Sequence, residues 1–322
     1  MRVLHLLCDL SGGGAERLVL AIAARNGHEV AVLHDGGSLS APVHRLHRVR
    51  GRPGARALGR LTRLSRSFDA LHVHLGAGVL WGVPAARAAR RPVVVSWHGT
   101  EAESAFRARA RQFWMRRADR VLAVSRSVAE ALHAEGVAST VVPNGVALDQ
   151  FAAPWVGGAG VLAVGRLAPE KGFDLLGDLG LPGVPITLVG PPGSAPAPAG
   201  VTWAGEVDDV AARMALADVV VIPSRREGAS LVAMEAMAAG APVIATQVGG
   251  LPEVLGDVAR WIPPDSPAAL RDALAAVLGD PTLRQAMSAA GRARSRQFDL
   301  NATAAAWSAA CEEVVRRPHP VP

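Results

Sequence analysis

Short apolar runs alternate with stretches of helical period along the whole chain, and few folds can absorb that alternation. In the first half the apolar runs are Val3 to Cys8, Glu29 to His34, Ala70 to His74, Pro92 to Trp97, Arg120 to Val124 and Thr140 to Val142. Helical patterns fall between most of them, at Ala15 to Arg25, Val79 to Arg90, Ala105 to Arg117 and Val128 to Glu135. The second half restarts with runs at Val161 to Val164, Ile186 to Val189, Val201 to Ala204, Val219 to Ile222 and Pro242 to Ala245. Its helical stretches are Asp174 to Leu179, Val210 to Leu216, Ser230 to Ala239, Pro267 to Leu278 and Pro281 to Arg296. Repeated βα units bury continuous apolar strands in a parallel sheet with helices on both faces. The sequence therefore predicts an α/β protein of two doubly wound domains, with a ligand in the cleft between them at the carboxyl ends of the strands.

A length of 322 residues suits two domains of about 150 residues each. The expected division is residues 1–151, residues 152–300 and a last helix within 301–322 that packs back on the first domain, with the Gly- and Pro-rich stretch Phe151 to Gly160 as linker. With 50% apolar and 19% charged residues, disorder is excluded for most of the chain. Cys8 and Cys311 stand at opposite ends, without the spacing of a disulfide scaffold or a zinc site. No run of 18 apolar residues occurs, and residues 1–10 do not read as a signal peptide. The expected location is cytoplasmic, with a peripheral position at the inner face of the membrane left open.

The 34 basic residues comprise 33 Arg and one Lys, Lys171. An Arg, Ala, Gly and Pro excess of this kind reflects a GC-biased genome, which replaces Lys wherever Arg serves as well. A surviving Lys marks a position where a compact ammonium and a planar guanidinium are not interchangeable. Charge is also uneven: residues 1–151 carry 21 Arg and 11 Asp+Glu, whereas residues 152–322 carry 13 basic and 17 acidic side chains. The first half is thus +10 and the second −4, which favours an anionic partner for the first.

Three segments carry chemistry. Gly12, Gly13 and Gly14 follow the first strand and open a helix, where backbone N–H groups can approach a phosphate or sugar; their spacing is not that of a dinucleotide fingerprint. Gly165-Arg166-Leu167-Ala168-Pro169-Glu170-Lys171-Gly172 places two cations on one strand-to-helix loop, within reach of a single diphosphate. In Pro223 to Ala245 a strand ends, a loop carries Glu227, and Ser230 is the predicted N-cap of a helix holding Glu235. Glu235 sits among apolar neighbours, where a carboxylate needs hydrogen-bond donors such as sugar hydroxyls.

These motifs, with Val142-Pro143-Asn144-Gly145-Val146 and Glu-Ala-Met-Ala-x-Gly-x-Pro-Val-Ile-Ala, occur in an order that resembles the retaining GT-B glycosyltransferases of family 4. The resemblance covers nearly the whole chain and is densest from 160 to 255. It implies transfer of a hexose or N-acetylhexosamine from a UDP- or GDP-sugar to an acceptor hydroxyl. Arg166 and Lys171 would clamp the diphosphate. Glu235 would accept from the ribose, and Glu227 from hydroxyls of the transferred sugar. Backbone N–H groups of Gly228, Ala229, Ser230 and Leu231 would meet phosphate at the helix start. The base would lie near Trp203 to Val207. Gly12 to Gly14 would close over the donor phosphates and the acceptor, and His98, ending a strand in Trp97-His98-Gly99-Thr100, would lie beside the anomeric carbon or its neighbouring hydroxyls. The family's front-face reaction, in which the departing phosphate oxygen takes the acceptor proton, needs no glycosidase-type carboxylate pair. No Asp-x-Asp triplet occurs, so no metal and no other cofactor is expected.

His72 and His74 alternate on a buried strand and read as structural, although their spacing is also that of a metal-ligand pair. Two Arg-rich segments, His44 to Arg66 and Arg107 to Arg120, suit an anionic or lipid-linked acceptor; the second, with Phe113, Trp114 and Met115, reads as an amphipathic helix able to rest on anionic lipid or as a solvated face. Nucleic acid is not an expected partner, since no recognition motif accompanies the charge. The chain is short for the family between Asp35 and Asp69 and again at Phe173 to Gly190, which bears on acceptor recognition. Two rival readings are a catalytically silent scaffold that binds a nucleotide sugar, and a nucleotide-sugar epimerase on the same fold.

Overall fold

The computed structural model describes residues 1–11, 13–34, 39–46, 55–99, 104–177 and 179–317. They form two compact units, residues 1–144 with 301–322 and residues 145–300.

The first unit runs β1 (Val3–Leu7), α1 (Gly14–Asn26), β2 (Glu29–Val32), β3 (His44–Arg45), α2 (Ala55–Ser65), β4 (Ala70–His74), α3 (Leu75–Ala89), β5 (Val93–Trp97), α4 (Ala105–Met115), β6 (Arg120–Ala123), α5 (Arg126–Ala134) and β7 (Thr140–Val141). All its strands are parallel, in the order β3-β2-β1-β4-β5-β6-β7. β1, β4 and β5 are buried along their full length, as the unbroken apolar runs require. Register sets His5 beside His72, and His74 beside Ser96.

The second unit runs β8 (Val161–Val164), β9 (Ile186–Val189), β10 (Thr202–Trp203), α6 (Val210–Leu216), β11 (Val219–Ile222), α7 (Leu231–Ala239), β12 (Val243–Thr246), α8 (Leu251–Leu255), β13 (Arg260–Ile262), α9 (Pro267–Gly279) and α10 (Pro281–Ser295). Its sheet is again parallel, in the order β10-β9-β8-β11-β12-β13. α11 (Leu300–Arg316) returns the chain to the first unit. There Asn26 donates to the Ala304 carbonyl and to Ser308 Oγ, and Arg120 pairs with Glu313.

The structure differs from the sequence reading at four places. The Arg-rich segment after Asp35 contains β3 and α2, the latter burying Ala57, Leu61 and Ser65 at helical spacing while Arg56, Arg60 and Arg63 face outward. The helix expected at Asp174 to Leu179 is a 3₁₀ turn, Phe173–Leu176, closed by Gly177; Phe173, Leu175 and Leu176 still fill the core. The stretch Phe151 to Gly160 is no free linker. Phe151 is buried, the Asp218 carboxylate accepts the N–H groups of Gly158 and Gly160, and Trp155 Nε1 donates to the Ala217 carbonyl. The chain instead passes between units near 144 and 300, where Val146 and Asp299 form an isolated parallel bridge. Finally, the chain passes through α8 into β13, which extends the second sheet beyond the last expected strand.

Candidate active site

In a doubly wound sheet the chain reverses its winding where two neighbouring strands send their crossovers to opposite sides, and ligands bind beyond the carboxyl ends of that pair. The second unit reverses between β8 and β11. The loop after β8 carries Arg166 to Lys171, and the loop after β11 carries Ser224 to Ser230, so both candidate segments leave this strand pair.

The two loops are bonded to each other. Lys171 Nζ donates to Glu227 Oε2 at 2.8 Å, and Ser224 Oγ donates to the same oxygen at 3.1 Å. Lys171 and Glu227 are 27% and 10% exposed in their side chains, so the pair is sheltered and still reachable. The Arg225 N–H donates to the Glu170 carbonyl, and its guanidinium binds Asp174, Asp265 and the Pro169 carbonyl. Arg225 thereby holds the Asp174 carboxyl below its ordinary range. Gly172 adopts φ +66°, where a Cβ would collide with the Pro223 carbonyl oxygen. Gly249, at φ +52°, lies against the Glu227 backbone, whose carbonyl accepts the Gly250 N–H at 3.1 Å. Only glycine combines these dihedrals with such close approach.

Ser230 is the N-cap of α7, its Oγ accepting the Ala233 N–H. Gly228 to Leu231 thus stand at the start of that helix, with Ala229 and Ser230 buried. Glu235 is half-buried in the second turn of α7. Arg166 is a more exposed group, 59% accessible, and bonds to Glu170 at 3.1 Å. The structure therefore joins Lys171, Glu227 and Ser224 directly and leaves Arg166 facing solvent.

In the first unit the reversal falls between β1 and β4. Gly12 lies outside the described residues. Gly13 is the N-cap of α1 and Gly14 its first residue; the Glu16 carboxylate folds back over Gly13, occupying the space a Cβ there would need. His98 directly follows β5 and bonds through Nε2 to His74 Nδ1 at 3.2 Å. Burial pushes His98 down to about 4, so the ring is neutral near pH 7. Among the described residues, His5, His72 and His74 are the group of three whose nitrogens, all within 4.8 Å of one another, have the proximity of metal ligands. No described helix is long and apolar enough to cross a membrane.

Sequence reasoning missed Ser224, Arg225, Gly172 and Gly249 as parts of this site. Gly249, three residues past the end of β12, and Gly172, directly after Lys171, each carried the signal of a glycine in a strand-to-helix loop, but nothing in the sequence shows what lies against them.

Two parallel, doubly wound units with functional loops at their strand ends are the architecture of GT-B glycosyltransferases. Anabaena HepE, crystallised with UDP and glucose, shares the fold with a TM-score of 0.85 over 97% of this chain and 100% of its own, at 21% identity. Residues 12–150 match the model of Glycosyltransferase Family 4, and residues 158–280 that of Glycosyl transferases group 1. A phosphatidyl-myo-inositol mannosyltransferase of Mycobacterium leprae is 31% identical over 279 residues, covering 77% of this chain and 72% of the relative. A D-inositol 3-phosphate glycosyltransferase of Corynebacterium glutamicum is 42% identical over 101 residues, 31% of this chain and 24% of the relative. The chain belongs to glycosyltransferase family 4 and is a glycosyltransferase.

Proposed function

We propose that the protein transfers a hexose or N-acetylhexosamine from a UDP- or GDP-sugar to an acceptor hydroxyl with retention of anomeric configuration and without a metal ion. The observation that carries this reading is the Lys171–Glu227 pair between the two loops that leave β8 and β11. Among the described residues, both bonds to the Glu227 carboxylate fall on Oε2, which leaves Oε1 for hydroxyls of the transferred sugar. Lys171, held at the loop by Gly172, supplies a point charge for the diphosphate, and the exposed Arg166 can swing onto the same group. The α7 N-terminus, with Gly228 to Leu231, presents N–H groups to a phosphate oxygen, and Glu235 serves the ribose. The absence of an Asp-x-Asp triplet supports cations rather than a metal as the diphosphate partner.

The acceptor in this reading is lipid-linked or anionic. The naming of the mycobacterial relative for a phosphatidylinositol substrate supports it, as does α4, where Phe106 is 81% exposed and Phe113 47% exposed beside Arg107, Arg109, Arg116 and Arg117. Met115 and Arg111 take no part in that face: Met115 is buried, and Arg111 pairs with Glu135 and covers the Trp97 ring.

A nucleotide-release screen over UDP-, GDP- and ADP-sugars, with lipid, small-molecule and saccharide acceptors, tests the proposal. One donor is expected to release its nucleotide only in the presence of an acceptor. Its nucleotide, at 100 times its Kd, is expected to stabilise the protein by about 2.7 kcal/mol. Glu227→Gln should lose transfer and keep nucleotide binding. Isomerisation of the donor without acceptor would establish the epimerase instead, and binding without turnover the silent scaffold.

A further inference from the structure

Four imidazoles cross the first sheet in one hydrogen-bonded line. His28, half-buried in the turn between α1 and β2, bonds through Nδ1 to His5 Nε2 at 3.1 Å. His5, in the middle of β1, bonds through Nδ1 to His74 Nε2 at 3.0 Å. His74, at the end of β4, bonds through Nδ1 to His98 Nε2 at 3.2 Å. Trp307 of α11 lies over the line, its ring centroid 5.9, 4.9 and 6.1 Å from those of His5, His74 and His98. His72 stands beside it, bonded through Nε2 to Ser96 Oγ at 2.8 Å and outside the chain of bonds.

A neutral imidazole has one N–H and one lone pair, so bonds in series must all point the same way. Two assignments satisfy the line. If protons point from His28 toward His98, His98 Nδ1 carries a hydrogen, and that nitrogen is shielded from solvent with no partner among the described residues. If they point from His98 toward His28, His98 Nδ1 is a lone pair and the surplus N–H falls on His28, which water can reach. A buried N–H without an acceptor is the rarer and costlier state. Burial holds all four rings below their ordinary range, with His5 pushed down to about 3, and so keeps the line neutral.

We propose that the His28–His5–His74–His98 line fixes His98 as the Nε2–H tautomer, so that Nδ1, beyond the carboxyl end of β5, is an obligate acceptor for a ligand hydroxyl. The role for that hydroxyl rests on the transferase reading above; the tautomer does not. His28, His5 and His74 are then positioning residues, acting through His98. An ion cage is the poorer account of the same rings. Two of its three rings already bond to each other, the third bonds to Ser96 through Nε2, and the trio supplies no negative charge to offset burial of a dication.

Two-bond proton–nitrogen correlation spectra of the full chain labelled with ¹⁵N-histidine, near pH 7.5, read the tautomers directly. The expected result is Nε2–H with bare Nδ1 at His98, His74, His5 and His28. In His28→Phe the His5 N–H loses its acceptor, the two directions become comparable, and His98 should show both tautomers. kcat/KM should fall about tenfold, and His28→Gln, whose side-chain carbonyl can accept from His5, should recover it to within twofold. A protonated His98 Nδ1 in the unsubstituted protein overturns the proposal. So does a His98 tautomer or kcat/KM unmoved by His28→Phe, or a stoichiometric Zn²⁺ that shifts His5 and His74 together. If the unsubstituted protein releases no nucleotide from any donor, the transferase reading fails while the spectra still decide the line.

Discussion

The buried histidines predict a loss of stability in mildly acidic solution, well before the carboxylates titrate. An unfolded histidine has a pKa of about 6.5. In the folded protein burial pushes His5 down to about 3 and His98 down to about 4. Between those values and 6.5 the unfolded chain binds protons that the native state refuses, so stability rises with pH across the window. The contribution is complete above pH 6.5 and is lost as pH falls toward 4. At pH 5, about 1.5 units below the unfolded value, each ring costs about 2 kcal/mol at 1.36 kcal/mol per unit. His5 and His98 together therefore cost about 4 kcal/mol, against a typical domain stability of about 5–15 kcal/mol. His72 and His74, both held well below the ordinary range by burial, act in the same direction. Urea denaturation at pH 7.5, 6, 5.5 and 5 measures the slope, with pulsed hydrogen exchange on peptides from β1 and β4 assigning the transition to the first unit. A first-unit stability that is unchanged between pH 7.5 and pH 5 would refute the reasoning, because it would mean the rings are hydrated or already charged.

Three substitutions in the second unit test the site. Lys171→Arg should lower kcat/KM at least tenfold although charge is kept, because the sheltered ammonium serves both Glu227 and the diphosphate; an unchanged rate would refute that role. Gly172→Ala should destabilise the second unit by about 2 kcal/mol or more in thermal unfolding, from its positive φ and the Pro223 carbonyl together, and should weaken nucleotide binding. Ser230→Ala should cost about 1 kcal/mol through loss of the α7 cap, measured by denaturation.

Apart from β3 and β13, the strands of both sheets were legible because apolar runs such as Val93-Val94-Val95 and Val219-Val220-Val221-Ile222 leave no alternative to burial on both faces. α2 was hidden because three arginines and a glycine dilute the apolar stripe that Ala57 and Leu61 form once the helix packs. Phe173 to Leu176 kept its buried face and lost its helix, since Gly172 and Gly177 bracket a segment too short for a full α-helical turn to propagate. At the site, the loops after β8 and β11 were readable as charged residues at strand ends. Their mutual bonding was not, because Arg225 reaches Asp265 and Gly249 reaches Glu227 across gaps in sequence that carry no periodicity. The histidine line was invisible for the same reason. His5, His28, His74 and His98 come from four separate strands or turns, and only the parallel register aligns them.

Helix α11 belongs to the unit that precedes residues 145–300 in the chain, and this sets an order on synthesis. Residues 145–300 leave the ribosome as a covalently complete unit, able to close their own core, while the first sheet still lacks α11. Until Trp307 arrives, His5, His72 and His74 lack the ring that packs over them in the finished sheet. The earlier half of the chain thus waits on residues 301–316, and a message truncated after residue 300 would encode a finished second unit attached to an unfinished first.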